Sequence, residues 1–295
     1  MQVVGLVLRF LLGLICAFVL FSAYQTHRHP QLIFNQLTDR IKYPLDARVR
    51  YRIGELDPRF GVTHEELLQL LDEAALIWQA GTGRAWFVYD ENAQLTVNLI
   101  YDERQESTIA KQQIQTKIDE KIKTQSDVEH FLKDEKIQLE RDWNSLQNEI
   151  QVFNLQSELA HMRQDWTTLE TLNAQREQLE QKLKAYKARE SQYNQKINQY
   201  NQTQNEINAD ITSIRKKFPA REFHKGIFNG REINIYEFKS LDDLRLTLAH
   251  EFGHALDLDH HDNPEGLMHT HAGEQDLENF KLHSADLKLL WERHH

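Results

Sequence analysis

The sequence predicts an α+β fold: one globular domain of strands and helices, interrupted by a long antiparallel α-helical coiled coil. Three observations lead there. From Glu103 to Phe218 the chain has neither glycine nor proline, and its apolar residues recur in steps of three, four or seven, the spacing of a heptad seam. On both sides of that stretch, short alternating runs bounded by turn residues mix with runs of helical period, which is the signature of strands and helices together. The regions flanking the coiled coil, 31–103 and 218–295, together make about 150 residues, a single-domain size.

Residues 1–30 come first. From Phe10 to Tyr24 the run FLLGLICAFVLFSAY carries no charge, and from Val3 onward only Arg9 interrupts it. With Arg9 snorkelling to the interface, Val3–Tyr24 is long enough to cross a hydrocarbon core of about 30 Å. A cleaved signal peptide is the rival reading. Phe21-Ser22-Ala23 is a poor cleavage site for it, because Phe21 stands where a small side chain is wanted. Cys16 follows Leu14 and Ile15, unlike a lipoprotein box, and as the one cysteine it allows no internal disulfide. An uncleaved anchor is the favoured expectation. Arg9 on one side and Arg28, Arg40 and Lys42 on the other leave its orientation undecided by the positive-inside rule.

Residues 31–103 form the first half of the domain. Val49–Ile53 alternates as a half-buried strand does. Asp57-Pro58 marks a turn. Thr63 with Glu66 forms a capping box, after which Leu67, Leu68, Leu71, Ala75 and Trp78 recur at helical spacing until Gly81 and Gly83. Strands at Trp86–Tyr89 and Leu95–Tyr101 follow, separated by an Asp-Glu-Asn turn. Trp78, Trp86 and Phe87 read as core.

Residues 104–217 form the insertion. One seam runs through Val128, Leu132, Leu139, Trp143, Leu146, Ile150 and Phe153, and another from Met162 and Trp166 through Leu169, Leu172, Leu179 and onward to Phe218. Both ends return to one domain, so the segment must fold back on itself. Two arms of about 50 residues reach roughly 75 Å at 1.5 Å per residue. Asn154 and Ser157 near the midpoint are the expected tip, with Ser126 and Glu129 as a helix restart or an alternative turn.

Residues 218–295 resume the globular pattern. Asn229-Gly230 is a tight-hairpin signal leading into a strand at Glu232–Phe238. Ser240 with Asp243 opens a helix whose apolar face is Leu241, Leu244, Leu248, Phe252 and Ala255. Ser284 caps a last short helix through Trp291.

That penultimate helix carries the most informative residues, His250-Glu251-Phe252-Gly253-His254, followed by His260. Two histidines four apart project from one helical face a turn apart, close enough for both imidazoles to bind one metal. Glu251 lies beside that metal, where it can take a proton from a bound water. His260 cannot share the face, so the helix must end and turn to deliver it. Three histidines leave the fourth position of a tetrahedral zinc open, as in catalytic sites.

The extended motif, with its third histidine and with Met268 eight residues later, is the metzincin pattern. HEFGHALDLDH followed by Asn263-Pro264-Glu265-Gly266-Leu267-Met268 closely resembles the matrixin branch, the matrix metalloprotease family. The resemblance implies a metzincin-like catalytic domain with a twisted, mostly parallel sheet. It implies His250, His254 and His260 as ligands of one catalytic zinc, Glu251 as general base and Met268 as a packing turn beneath the metal. It also implies that an edge strand around His224–Phe228 pairs with an extended substrate. The departures are equally specific. Asp257 stands where the family has the glycine that ends the helix in a left-handed conformation, His261 stands in place of a common serine, and His269-Thr270-His271 replaces the wall of the specificity pocket. The coiled coil occupies the interval where matrixins hold a second zinc and calcium. No ligand cluster resembling those sites is visible, so one zinc is expected and calcium is left unassigned. The cysteine-bearing propeptide of many family members is also missing.

A formal charge of −10 argues against a nucleic-acid partner. The expected function is a membrane-tethered zinc endopeptidase acting on protein or peptide substrates, with its catalytic domain on the periplasmic or extracellular side. The alternative is a catalytically weak or inactive metzincin-fold coiled-coil adaptor or binding protein of the cell envelope. A third reading lets the coiled coil recruit a protein partner or gate the cleft of a working protease.

Overall fold

The computed structural model of the chain describes residues 2–218, 225–270 and 275–294. The chain divides into two compact units, residues 1–110 with 221–295, and residues 111–220.

The first unit opens with helix α1 (Gln2–Arg28), a 3₁₀ helix (Pro30–Phe34) and the short α2 (Leu37–Lys42). Its Phe10–Arg28 stretch is long and apolar enough to cross a membrane. Strand β1 (Val49–Leu56) follows, then α3 (His64–Thr82), β2 (Phe87–Tyr89) and β3 (Leu95–Leu99). α3 starts where its capping box requires. The Thr63 hydroxyl accepts from the Glu66 N–H at 3.2 Å, and the Glu66 carboxylate accepts from the Thr63 N–H at 2.8 Å, so two orphan donors are satisfied reciprocally. It stops at Gly83, whose φ of 70° suits a residue without Cβ. The buried stripe includes Leu70 and Ala74 beside Leu67, Leu71 and Trp78, while Leu68 and Ala75 sit at its margin. The face is thus rotated slightly from the one read in sequence.

The unit closes with β4 (Gly226–Phe228), β5 (Glu232–Ile235), α6 (Leu241–Ala255) and α7 (Ser284–His294), after α4 (Glu103–Arg163) and α5 (Trp166–Lys217) have intervened. The five strands form one mixed sheet in the order β2-β1-β3-β5-β4. β1 pairs in parallel with β2 and β3, β3 with β5, and only β4 runs antiparallel, joined to β5 through the Asn229-Gly230 turn. Gly230 has φ 89° there. One sheet face presents Tyr51, Ile53, Leu95, Val97, Leu99, Ile233 and Ile235 to α3 and α6. Phe252 of α6 stacks on Phe87 at 4.2 Å and lies against Tyr51 at 5.1 Å. Burying such side chains is worth about 1.5–3 kcal/mol each. The motif helix is therefore pressed onto the sheet by its own apolar face.

α7 departs from expectation at its start. Ser284 is its first residue rather than its cap. The Asp286 carboxylate accepts from the His283 N–H at 2.9 Å instead, and the His283 ring accepts from the Ala285 N–H. A carboxylate in the first turn satisfies the orphan donor better than the short hydroxyl can reach it.

The second unit is an antiparallel pair built from the long parts of α4 and α5, with 61 and 52 residues in the full helices. Leu132, Leu139, Leu146, Leu172, Ile207 and Ile214 are buried between the arms, and Trp143 meets Tyr186 at 5.1 Å. Ion pairs step in opposite directions along the arms: Lys121–Asp210, Glu135–Arg189 and Glu149–Lys182. The tip is not at Asn154 or Ser157, nor does the chain break at Ser126 or Glu129; α4 runs unbroken through all four. The turn lies at Gln164-Asp165. The Asp165 N–H reaches the Ala160 carbonyl and the Gln164 N–H the His161 carbonyl, a Schellman closure around Gln164 at φ 56°. The Asp165 side chain then caps α5 through the Thr168 N–H at 3.1 Å. Asn and Ser are merely weak helix formers, whereas a capping aspartate satisfies orphan donors and sets the boundary. Met162 and Trp166 flank this turn and stay exposed. The arms also begin later than residue 104. Gln105 is buried in the first unit, its amide donating to the Phe238 carbonyl and accepting from the Phe238 N–H.

Candidate metal centre

His250, His254 and His260 converge. Each offers a ring nitrogen, and these atoms lie within 4.8 Å of one another. His250 and His254 come from one face of α6, their rings 4.9 Å apart and nearly perpendicular. His260 reaches them because the helix ends abruptly. The Leu258 N–H bonds the Gly253 carbonyl at 3.1 Å and the Asp257 N–H bonds the His254 carbonyl at 2.9 Å, a second Schellman motif. Asp257 holds the left-handed position at φ 63°, which costs an L-residue roughly 1–2 kcal/mol. Its carboxylate pairs with Arg293 of α7. Buried Leu258 supplies the apolar contact that accompanies this motif.

The ring orientations suit a metal. His250 Nδ1 lies 2.6 Å from the Leu267 carbonyl and His254 Nδ1 lies 2.8 Å from the Leu258 carbonyl. Both Nδ1 atoms must carry hydrogen, which leaves Nε2 of each ring with its lone pair toward the shared centre. The Nε2 atoms of His250 and His260 are 3.2 Å apart, against about 3.3 Å between ligands of a tetrahedral zinc with 2.0–2.1 Å bonds. Burial drives His250 down to about 3, with its two neighbouring histidines adding to the effect. It is therefore neutral, the state a ligand requires.

Glu251 follows the first histidine on α6 and is almost fully buried. Its surroundings are set by β4. A Cβ on Gly226 would lie 2.7 Å from Glu251 Oε1, so only glycine lets the strand approach this closely. Burial raises the carboxyl to about 7, opposed by a hydrogen bond from the Phe228 backbone. Oε2 is buried with no hydrogen-bond partner among the described residues. A buried carboxylate oxygen left without a donor is costly, and a nearby cation and its water would supply what is missing.

Met268 is fully buried beneath α6. A Cβ on Gly253 would come within 2.2 Å of its sulfur and 2.9 Å of the Trp78 ring, so the glycine inside the motif is a packing requirement. Trp78 does more than fill the core: its indole N–H donates to the Ala249 carbonyl at 2.9 Å, next to the first histidine. The residue that sequence reasoning missed is Asp286. It is fully buried, and its carboxylate accepts from the Leu267 N–H at 3.1 Å, the Met268 N–H at 2.9 Å and the His283 N–H at 2.9 Å. His261 Nε2 lies 2.9 Å from the same carboxylate. An aspartate in a helix's first turn looks like ordinary dipole complementation, and nothing local marks it as the clamp of a turn 18 residues earlier. Of the residues after Met268, His269 N–H meets the Gly266 carbonyl at 3.4 Å; His271 and His224 lie outside the described residues.

Comparison with models of protein families, with curated proteins and with solved structures finds no match to this chain. What the fold and the geometry define is a class: an α+β unit with three convergent imidazoles beside a buried carboxylate. Further identification rests on that chemistry.

Proposed function

We propose that the protein is a zinc endopeptidase of metzincin type, tethered to a membrane by an uncleaved α1. The observation that carries this reading is the pairing of three imidazole nitrogens within 4.8 Å with Glu251 Oε2, buried and without a partner among the described residues. A structural zinc site has no use for the second feature. His250, His254 and His260 would hold one zinc, which when bound supplies Lewis-acid polarisation of a carbonyl and a water acidic enough to react near neutral pH. Glu251 would accept that water's proton and later deliver it to the leaving amine. A carboxyl raised by burial gains basicity for this transfer, and a divalent cation beside it would draw it back down. Among the described residues β4 is the antiparallel edge strand of the sheet, the position to which an extended peptide would add by main-chain hydrogen bonds.

The departures that favoured an inactive adaptor have structural accommodations. Asp257 takes the left-handed turn with Arg293 as partner, and His261 is held by Asp286. Retention of the N-terminal helix is supported by its bonds to the domain. Arg40 donates to the Ser22 carbonyl at 2.6 Å and to the Thr26 hydroxyl at 2.8 Å, and the Gln25 amide donates to the Pro44 carbonyl. A location outside the cytoplasm follows from the metzincin resemblance. E251Q tests the mechanism: zinc content should stay at one per chain while hydrolysis of a quenched peptide library falls by at least a hundredfold. Unchanged hydrolysis would refute the role of Glu251.

A further inference from the structure

The segment that leaves α1 does not hang as a linker. Gln31, Leu32 and Asn35 are buried. Gln31 donates to the Ala47 carbonyl at 2.9 Å, and the Asn35 amide imitates a strand neighbour, donating to the Arg48 carbonyl at 2.7 Å and accepting from the Arg50 N–H at 2.8 Å. Phe34 then packs edge-on against Phe228 at 5.0 Å. Phe228 belongs to β4, and its backbone bonds the Glu251 carboxylate. The five residues Pro30–Phe34 rise about 2 Å each in a 3₁₀ helix, roughly 10 Å in all. Adding the ring contact and the span of one residue, the path of contacts from the end of α1 to Glu251 is on the order of 20 Å long, an upper limit on their separation.

A second observation concerns the lipid side. Ile33, Leu37, Ile41 and Leu45 recur every four residues and are all exposed, Leu45 at 96%. α2, which carries two of them, is tied by Arg40 to Ser22 and Thr26, in the last turns of the apolar helix. Pro44, beside Leu45, is tied to Gln25. Exposed apolar residues fastened alongside the end of a spanning helix, with Tyr24, Tyr43 and Lys42 among them, match the depth and chemistry of a bilayer interface.

We infer that this ridge rests in the interface of the membrane that α1 spans, and that the Phe34–Phe228 contact holds the cleft at a short fixed height above it. The substrates are then peptide segments within roughly 20 Å of the bilayer, such as the stretches where other membrane proteins emerge, and not distant soluble domains. This rests on the proteolytic and anchored readings above, and two measurements on the full chain in liposomes separate them. The first needs no activity. In a C16S background, I41C and L76C (Leu76 is exposed on α3) are labelled with an environment-sensitive fluorophore and exposed to lipids carrying a headgroup-level quencher. Label at I41C should be quenched at least twofold more than label at L76C; equal quenching overturns the geometry. The second uses single-span reporters that carry one cleavable sequence, selected from a peptide library. It is placed either about 5 residues from the span or beyond a helical spacer of about 40 residues, some 60 Å. The near reporter should be cut at least tenfold faster. Equal rates overturn the height restriction and leave the protease standing. Failure to cut any library peptide overturns the proteolytic reading and the substrate class with it.

Discussion

Replacing Asp286 by alanine would test how the metal centre is supported. The carboxylate is fully buried and accepts from the backbone N–H groups of Leu267, Met268 and His283, with His261 as a fourth partner. D286A leaves two of those N–H groups buried at the Met268 turn, at about 1–3 kcal/mol each, and opens a small cavity. A total loss of roughly 3–5 kcal/mol follows, about 10 °C in Tm at 2–4 °C per kcal/mol for a domain of this size. The effect should also reach the metal. The Leu267 carbonyl orients His250 at 2.6 Å, and the same residue's N–H is what Asp286 holds. Loss of such an orienting partner lowers metal affinity by about 10–100-fold. Thermal denaturation and zinc competition against a chromogenic chelator measure the two effects. A variant melting within 2 °C of the parent, with zinc affinity within twofold, would refute the clamp.

G253A inserts a methyl where Met268 and Trp78 leave no room, so urea denaturation should show a loss of about 1–3 kcal/mol; adding M268A should recover part of it, and strict additivity would contradict the contact. D257G relieves left-handed strain of roughly 1–2 kcal/mol and gives up a partly exposed ion pair worth about 0–1 kcal/mol, so the variant should match or slightly exceed the parent in stability, whereas D257V should fall below it. His294 donates to the Leu256 carbonyl at 2.8 Å beside Trp86, and burial, aided by Arg84, Arg293 and His29, pushes it down to about 4. Its folded value lies below the unfolded one, so its stabilisation is complete above pH 6.5 and is lost as pH falls from 6.5 toward 4. Because the ring is partly exposed, a loss of about 1 kcal/mol between pH 7 and 5 is expected; H294Q should flatten that part of the profile in chemical denaturation, and an unchanged slope would count against it.

The parts of this molecule that were legible in its sequence are those whose causes lie within one or two turns of chain. The Thr63–Glu66 box, the Asn229-Gly230 hairpin, the Ser240 cap, the heptad seams and the His250–His254 spacing each act over two to seven residues. The left-handed turn at Asp257 was expected from the metzincin resemblance, and the chain adopts it at φ 63°. The coiled-coil tip was misread for a related reason. Weak helix formers near the midpoint drew attention, while the boundary belonged to Asp165, whose cap is visible only against the closure around Gln164.

By itself, then, the sequence determined most of the helices and strands around the sheet, the spacing that lets the histidines converge and the apolar N-terminal helix. Tertiary structure alone decided which distant residues serve them: Asp286 under the Met268 turn, Trp78 on the Ala249 carbonyl, Gly226 against Glu251 and Phe34 against Phe228. These partners lie far apart in the chain, and each residue type has an ordinary local use. A buried hydrogen bond or close backbone approach across the fold leaves no periodic trace, because its spacing is set by how helices and sheet pack and not by the pitch of any one element.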